Sequence, residues 1–191
     1  MSSKKNFPLR IPRFAPGIRA QENRQGGGRN WWSVEWTRHL ETMGLQGRFG
    51  RGRNYAISGQ VIELILSGPH VEAKVVGTRP EPYKVTLDFR TPEGAARKRI
   101  LDALWAEPIV PARLLADDLP LEVVEIFRRE GFDLFPGGKF GPGKYDMTCA
   151  CSCPDYANPC KHTAAVLFLL GEEISRRPLT LLELRGITID L

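Results

Sequence analysis

Residues 151–162 read Cys151-Ser-Cys153-Pro-Asp-Tyr-Ala-Asn-Pro-Cys160-Lys-His162, a C-x-C-x6-C-x-H spacing that gathers three thiols and one imidazole in a short stretch. Zinc favours thiolate sulfur and imidazole nitrogen, and a structural site closes all four tetrahedral positions with protein donors. The stretch therefore predicts a scaffold Zn2+ rather than a catalytic ion with an open position. In extended chain, residues two apart point to the same side at roughly 6.6 Å between Cα atoms, and their sulfurs can converge to about 3.8 Å around one zinc. The fourth cysteine, Cys149, shares that face but lies about 13 Å from Cys153 if the strand stays extended. One ion then takes either Cys149 with Cys151 or Cys151 with Cys153. Pro154 favours the second pair, because it can turn the chain toward the return ligands.

The return half reads as a helix. Asn158-Pro159 suits an N-cap followed by proline at the first helical position, and Ala164, Ala165, Leu167, Phe168 and Leu169 continue an apolar helix expected to end near Gly171. Cys160 and His162 fall at its N-terminus, where the partial positive charge favours a thiolate. Fully helical, the two would lie about 200° apart around the axis, so the backbone of Cys160 is expected at or before the first turn. The metal set on this reading is Cys151, Cys153, Cys160 and His162.

Residues 151–166 resemble the SWIM zinc finger, whose pattern is C-x-C-x(n)-C-x-H followed by a short helix. Within that family the chain resembles bacterial SWIM-finger proteins that accompany Swi/Snf helicase-like ATPases. The likeness extends to Trp31-Trp32-x-x-x-Trp36, Gly52-Arg53-x-Tyr55-Ala56, Leu134-Phe135-Pro136 and Leu184-Arg185-Gly186. It implies a zinc-dependent module for DNA or protein binding with a helicase-like ATPase as partner. It gives the ligand roles to Cys151, Cys153, Cys160 and His162, and gives Cys149 none.

Other uses of the cysteines fit less well. Met1 to Arg13 hold no apolar run long enough for a secretory h-region, and disulfides are rare in reducing compartments. Iron–sulfur ligation lacks its usual spacings. A thiol enzyme built on Cys149 lacks an identifiable base.

The chain has 191 residues, 42% of them hydrophobic, enough for one ordinary core or two small ones. No apolar stretch approaches the roughly 18 residues needed to cross a bilayer, so a soluble cytoplasmic protein is expected, without a small-molecule substrate. The net charge of +5 is uneven: residues 1–30 hold seven basic side chains against Glu22, leaving 20 basic and 21 acidic elsewhere. With Pro8, Pro12, Pro16 and Gly26-Gly27-Gly28 breaking any period, 1–30 reads as a flexible basic tail. Arg10 and Arg13 could meet phosphates there, with Phe7 and Phe14 stacking on bases; a merely solubilising terminus is an equal alternative.

Trp32, Trp36, Leu40 and Met43 repeat at helical spacing and predict a helix over 31–43 whose tryptophans fill a core. Arg48, Arg51 and Arg53 then form a basic cluster on an expected glycine loop, either a phosphate clamp or a solvated turn. Val61–Leu66, Val71–Val75 and Tyr83–Phe89 read as an antiparallel meander, packed on one side against the tryptophan helix. From Thr91 the period turns helical: Ile100, Leu101, Leu104 and Trp105 form one buried stripe, Pro111–Ala116 a shorter helix, and Leu121, Val124 and Phe127 the inner face of a third.

The fold class is therefore α+β. The segments are a basic tail (1–30), a helix with the β-meander (31–90), a helical segment and connector (91–140) and the finger with a C-terminal helix (141–191). His39 and His70 have no catalytic neighbours in sequence, and no G-x-x-x-x-G-K-[ST] loop is present. The expected function is a non-enzymatic zinc-binding accessory protein that binds nucleic acid, DNA first, alongside a helicase-like ATPase. The alternatives are a protein-protein docking adaptor and, as a minor case, a thiol enzyme.

Overall fold

A computed structural model describes residues 11–21, 30–43, 47–136, 146–156 and 158–189. Its elements in chain order are α1 (Trp31–Thr42), α2 (Arg48–Ile57), β1 (Val61–Ser67), β2 (His70–Val75), β3 (Tyr83–Phe89), α3 (Gly94–Ala106), α4 (Ile109–Leu115), α5 (Leu121–Arg129), β4 (Met147–Cys151), α6 (Lys161–Arg176) and α7 (Leu179–Leu184). No helix among the described residues is long and apolar enough to cross a membrane. Phe7 and Arg10, expected as nucleic-acid contacts, lie outside the described residues.

The meander forms as its alternation predicts, and β4 joins it, giving one antiparallel sheet in the order β1-β2-β3-β4. Val71, Ala73 and Val75 on β2 and Val85, Leu87 and Phe89 on β3 are buried on one face while their neighbours are more open. The covering element differs from expectation. The sheet lies chiefly against α6, and α1 and α2 pack on α6 instead of on the strands. The reason is composition: α6 buries Ala164, Ala165, Val166, Leu167, Leu169 and Leu170 all round, as a helix does when it has neighbours on both sides.

The tryptophans of α1 are indeed core residues. Trp32 and Trp36 are buried, and their indole N–H groups donate to the carbonyls of Ile174 (3.2 Å) and Leu167 (3.3 Å) on α6. Half-buried Trp31 donates to Leu119 O at 3.2 Å. Buried indoles need such partners. This contact also explains why α6 runs through Gly171 to Arg176 instead of stopping at the glycine. A Cβ on Gly171 would sit 2.7 Å from Cδ1 and Nε1 of Trp36, so the glycine makes room for the indole and caps nothing.

Residues 48–53, expected as a loop, fall in the helix α2. Its glycines lower the intrinsic propensity, but Gly52, Tyr55 and Ala56 are buried, and Gly52 brings α2 close against Ala164 of α6. Tertiary packing overrides propensity here. Residues 11–21, expected as part of a flexible tail, run over the end of α2 and the start of β1. Gly17 N donates to Gly59 O (3.0 Å), Ile18 N to Val61 O (2.7 Å) and Ala20 N to Ala56 O (3.1 Å), and Ala15 is buried. The small side chains permit that approach, since a Cβ on Gly17 would lie 2.2 Å from Val61 O.

Between β3 and β4 the chain makes the helical excursion α3–α5. Ile100 and Leu104 are buried as predicted, whereas Trp105 is exposed. On α5 the inner face is Val123 with Phe127, and Leu121 points out. Arg185, after α7, is buried. Its guanidinium donates to Asp146 Oδ2 (2.6 Å), Arg90 O (2.9 Å) and Leu134 O (3.2 Å), joining the ends of β3, the excursion, the approach to β4 and α7 at one point. A buried charge with three partners is satisfied, which gives the Leu184-Arg185-Gly186 stretch a structural job.

Candidate metal centre

Four donors converge where β4 ends and α6 begins. β4 pairs with β3 through Val85–Cys151 and Leu87–Cys149, which fixes Cys151 at the strand's end. Pro154 follows Cys153 at the turn. The return arrives at Cys160, which is the N-cap of α6 with extended backbone (φ −89°, ψ 177°), and its sulfur accepts from Thr163 N at 3.5 Å. Cys160 thus stands just before the first turn, the arrangement that lets it face the same point as His162. The expected cap, Asn158, is displaced to another task. Its amide accepts from the Cys149 thiol (2.9 Å) and donates to Cys149 O (2.6 Å), and a cis peptide bond joins it to Pro159.

The sulfurs of Cys151, Cys153 and Cys160 and a ring nitrogen of His162 all lie within 4.8 Å of one another. His162 presents Nδ1, 3.8 Å from Cys151 Sγ and 3.7 Å from Cys160 Sγ. Tetrahedral zinc requires about 3.6 Å between sulfur and nitrogen and about 3.8 Å between sulfurs; the two sulfur–nitrogen distances match closely, and a spread of no more than 4.8 Å lets three thiols and one imidazole close on this ion with small side-chain adjustments. The protonation pattern agrees. Hydrogen bonding to Cys151, then to His162 and Thr163, holds the Cys160 thiol well below its ordinary range, while the same sharing pushes Cys151 up. Two neighbouring thiols thus hold a proton unequally, and metal binding requires both to give theirs up. Cys149 lies outside the set. Burial first, then the nearby Cys160 charge, pushes its thiol up to about 11, and its contacts go to Asn158.

The imidazole is oriented by rings. Tyr83 of β3 lies 4.5 Å from it, tilted by 34°, and Tyr55 of α2 meets it edge-on at 5.3 Å. Its Nε2 is buried without a hydrogen-bond partner, unlike the usual metal-bound histidine. Gly77 gives the space: a Cβ there would lie 2.4 Å from Tyr83 Cε2 and 3.4 Å from His162 Nε2. Tyr83 and Gly77 carry no metal-site signal in sequence, whereas Tyr55 belongs to one of the outer motifs of the resemblance.

Beside the centre lies a groove of about 940 Å³ between residues 11–19, α2 and the start of α6, with Arg13, Arg19, Arg51 and Lys161 along it. Arg13 and Arg51 were expected as nucleic-acid contacts and meet here. Arg48 and Arg53 sit elsewhere on α2, Arg53 with its guanidinium 6.0 Å from the Phe168 ring centroid. Arg19 and Lys161 were missed in sequence, because only the docked N-terminal segment and the α2–α6 packing bring them beside Arg51.

Four protein donors with no position left for substrate define a structural, finger-type centre. Residues 144–171 match the family model of the SWIM zinc finger, and the chain carries that finger. The uncharacterized protein Rv2102 of Mycobacterium tuberculosis is 35% identical to it over 170 residues, covering 89% of this chain. The chain spans 60% of that relative's length. No solved structure matches.

Proposed function

We propose that the chain is a non-enzymatic, zinc-dependent accessory module that binds DNA through the groove beside its finger and works alongside a helicase-like ATPase. The observation that carries the nucleic-acid reading is the distribution of counter-charges. Arg38, Arg99, Arg113, Arg128 and Arg177 each pair with a carboxylate. Among the described residues Arg13, Arg19, Arg51 and Lys161 have no such pair; Arg48, Arg79 and Arg129 have none either, but the first four share one groove whose wall holds no acidic side chain, although Arg19 also borders Glu172 and Glu173 on its far side. Cations grouped without anions attract phosphates. Zinc held by Cys151, Cys153, Cys160 and His162 would supply structure, tying the end of β4 to the start of α6, where Lys161 lies in the groove wall.

The non-enzymatic reading rests on the histidines. His39 stacks on Phe135 at 5.5 Å, His70 bridges Asp88 and Glu72 at the surface, and His162 belongs to the metal set. The ATPase partnership rests on the resemblance of the finger and its outer motifs. The docking-adaptor reading has an observation of its own, since Trp105, Ile109 and Leu121 stand exposed on the helical excursion, and apolar exposure of that kind suits a protein partner.

The test is a salt titration of binding to a short DNA duplex. If all four groove cations meet phosphates, the log–log slope approaches about −4, and Arg51→Ala or Arg19→Ala each reduces its size by about 1. Slopes and affinities unchanged in both variants would remove the groove as the contact and favour docking.

A further inference from the structure

Resting on that nucleic-acid reading, we infer that the groove takes an unpaired polynucleotide strand in preference to a duplex. Its wall is only partly ionic. Phe14 and Ile11, 83% and 78% exposed, stand among the cations. The exposure of Phe14 is built in by a fixed backbone. On one side Arg13 N donates to Gly77 O at 3.0 Å, and its guanidinium donates to Pro80 O at 3.1 Å. On the other side Ala15 is buried and Gly17 N is bonded to Gly59 O. The ring is thus held out into solvent by a segment anchored before and after it.

A duplex has little use for such a ring, since its bases are stacked inside and its edges are read by an element that enters a groove of the DNA. Here α2 forms part of a concave wall. Its Gly52–Tyr55–Ala56 face is buried, with Gly52 against α6, and Arg51 and Asn54 line a concavity. A single strand offers what the groove matches: a base face for Phe14 and, along the backbone, phosphates for Arg19, Arg51 and Lys161. The far wall is rigid too, because the Lys161 ammonium lies 5.1 Å from the Tyr55 ring centroid and Tyr55 abuts the ligand His162.

The experiment uses the full zinc-loaded chain and fluorescence anisotropy with three probes of equal length: oligothymidylate, oligouridylate and a mixed-sequence DNA duplex. The expected result is tighter binding of a single strand than of the duplex, with the deoxy and ribo arms assigning the sugar. Phe14→Ala should weaken strand binding by about tenfold, the lower part of the range for losing one stacked base, while leaving the duplex within about twofold, and Phe14→Trp should restore it. Phe14 is exposed, so neither variant perturbs the core. Duplex binding as tight as strand binding, indifferent to Phe14→Ala but weakened by Arg51→Ala, overturns the single-strand assignment and leaves the nucleic-acid reading standing. Failure of all three probes to bind overturns both.

Discussion

Replacing Gly52 by alanine sets two effects of opposite sign against each other, and the geometry decides between them. Gly52 lies inside α2, where alanine gains about 1 kcal/mol of helix propensity. Its new Cβ would lie 2.5 Å from Ala164 Cβ, 2.8 Å from Ala164 C and 2.9 Å from Ala165 N. Two of these atoms are backbone, so no rotamer change relieves the overlap. To recover ordinary contact near 3.5 Å, α2 must move off α6 by about 1 Å. Overpacking of this kind costs about 1–3 kcal/mol, and separation also loosens the packing of Tyr55 and Ala56. The net expectation for Gly52→Ala is destabilisation by up to about 2 kcal/mol, or up to about 8 °C in Tm for a chain of this size. Gly50 is the control, since it occupies the same helix with nothing within 4 Å of its Cβ position; Gly50→Ala should be neutral or stabilising by up to about 1 kcal/mol. Thermal and denaturant melts of zinc-loaded parent and both variants provide the measurement. A Gly52→Ala protein as stable as the parent would refute the close α2–α6 contact.

Cys153→Ser and His162→Ala should each lose the bound zinc, because either opens a closed site, while Cys149→Ser should keep it; metal analysis showing the reverse pattern would move the ligand set to Cys149. His39 is held below its ordinary pKa, first by burial and then by the Arg38 charge, so the folded state binds its proton less readily than the unfolded state. That contribution to stability is complete above the unfolded value of about 6.5 and is lost as pH falls through the lower folded value. Denaturation of His39→Gln against the parent between pH 7.5 and about 5 should show a shallower acid decline in the variant, and parallel curves would contradict this.

The candidate metal ligands were legible because ligand spacing is written along a single short stretch; chain reach limited one ion to two neighbouring cysteines, and Pro154 after Cys153 favoured Cys153 over Cys149. The strands β2 and β3 were legible because Glu72, Lys74, Lys84 and Asp88 alternate with buried residues. What escaped was set by pairings far apart in sequence. The helix α2 has a poor local pattern and exists through Gly52, Tyr55 and Ala56 packing on elements that follow it. Gly171 looked like a helix stop because a glycine's need for space is invisible until Trp36 is placed over it. The N-terminal segment carried the composition of a tail, yet Ala15 and Gly17 suit a backbone docking along Gly59 and Val61. The groove shared this fate: Arg13 and Arg51 could be named, but their grouping with Arg19 and Lys161 depends on three separate stretches of chain.

The pairing of β4 with β3 means that the finger is not a self-contained bead. Its first ligand sits opposite Val85, its histidine is clasped by tyrosines from β3 and α2, and its helix is the central beam against which the sheet and α1 rest. Cut out along the boundaries of residues 144–171, it would leave a lone strand with no ladder and a helix apolar on nearly every side. Such a fragment would retain the ligand spelling without the surroundings that aim the ligands. The structural unit is therefore the finger together with the sheet and helices that frame it, and a graft into another protein would have to carry that frame with it.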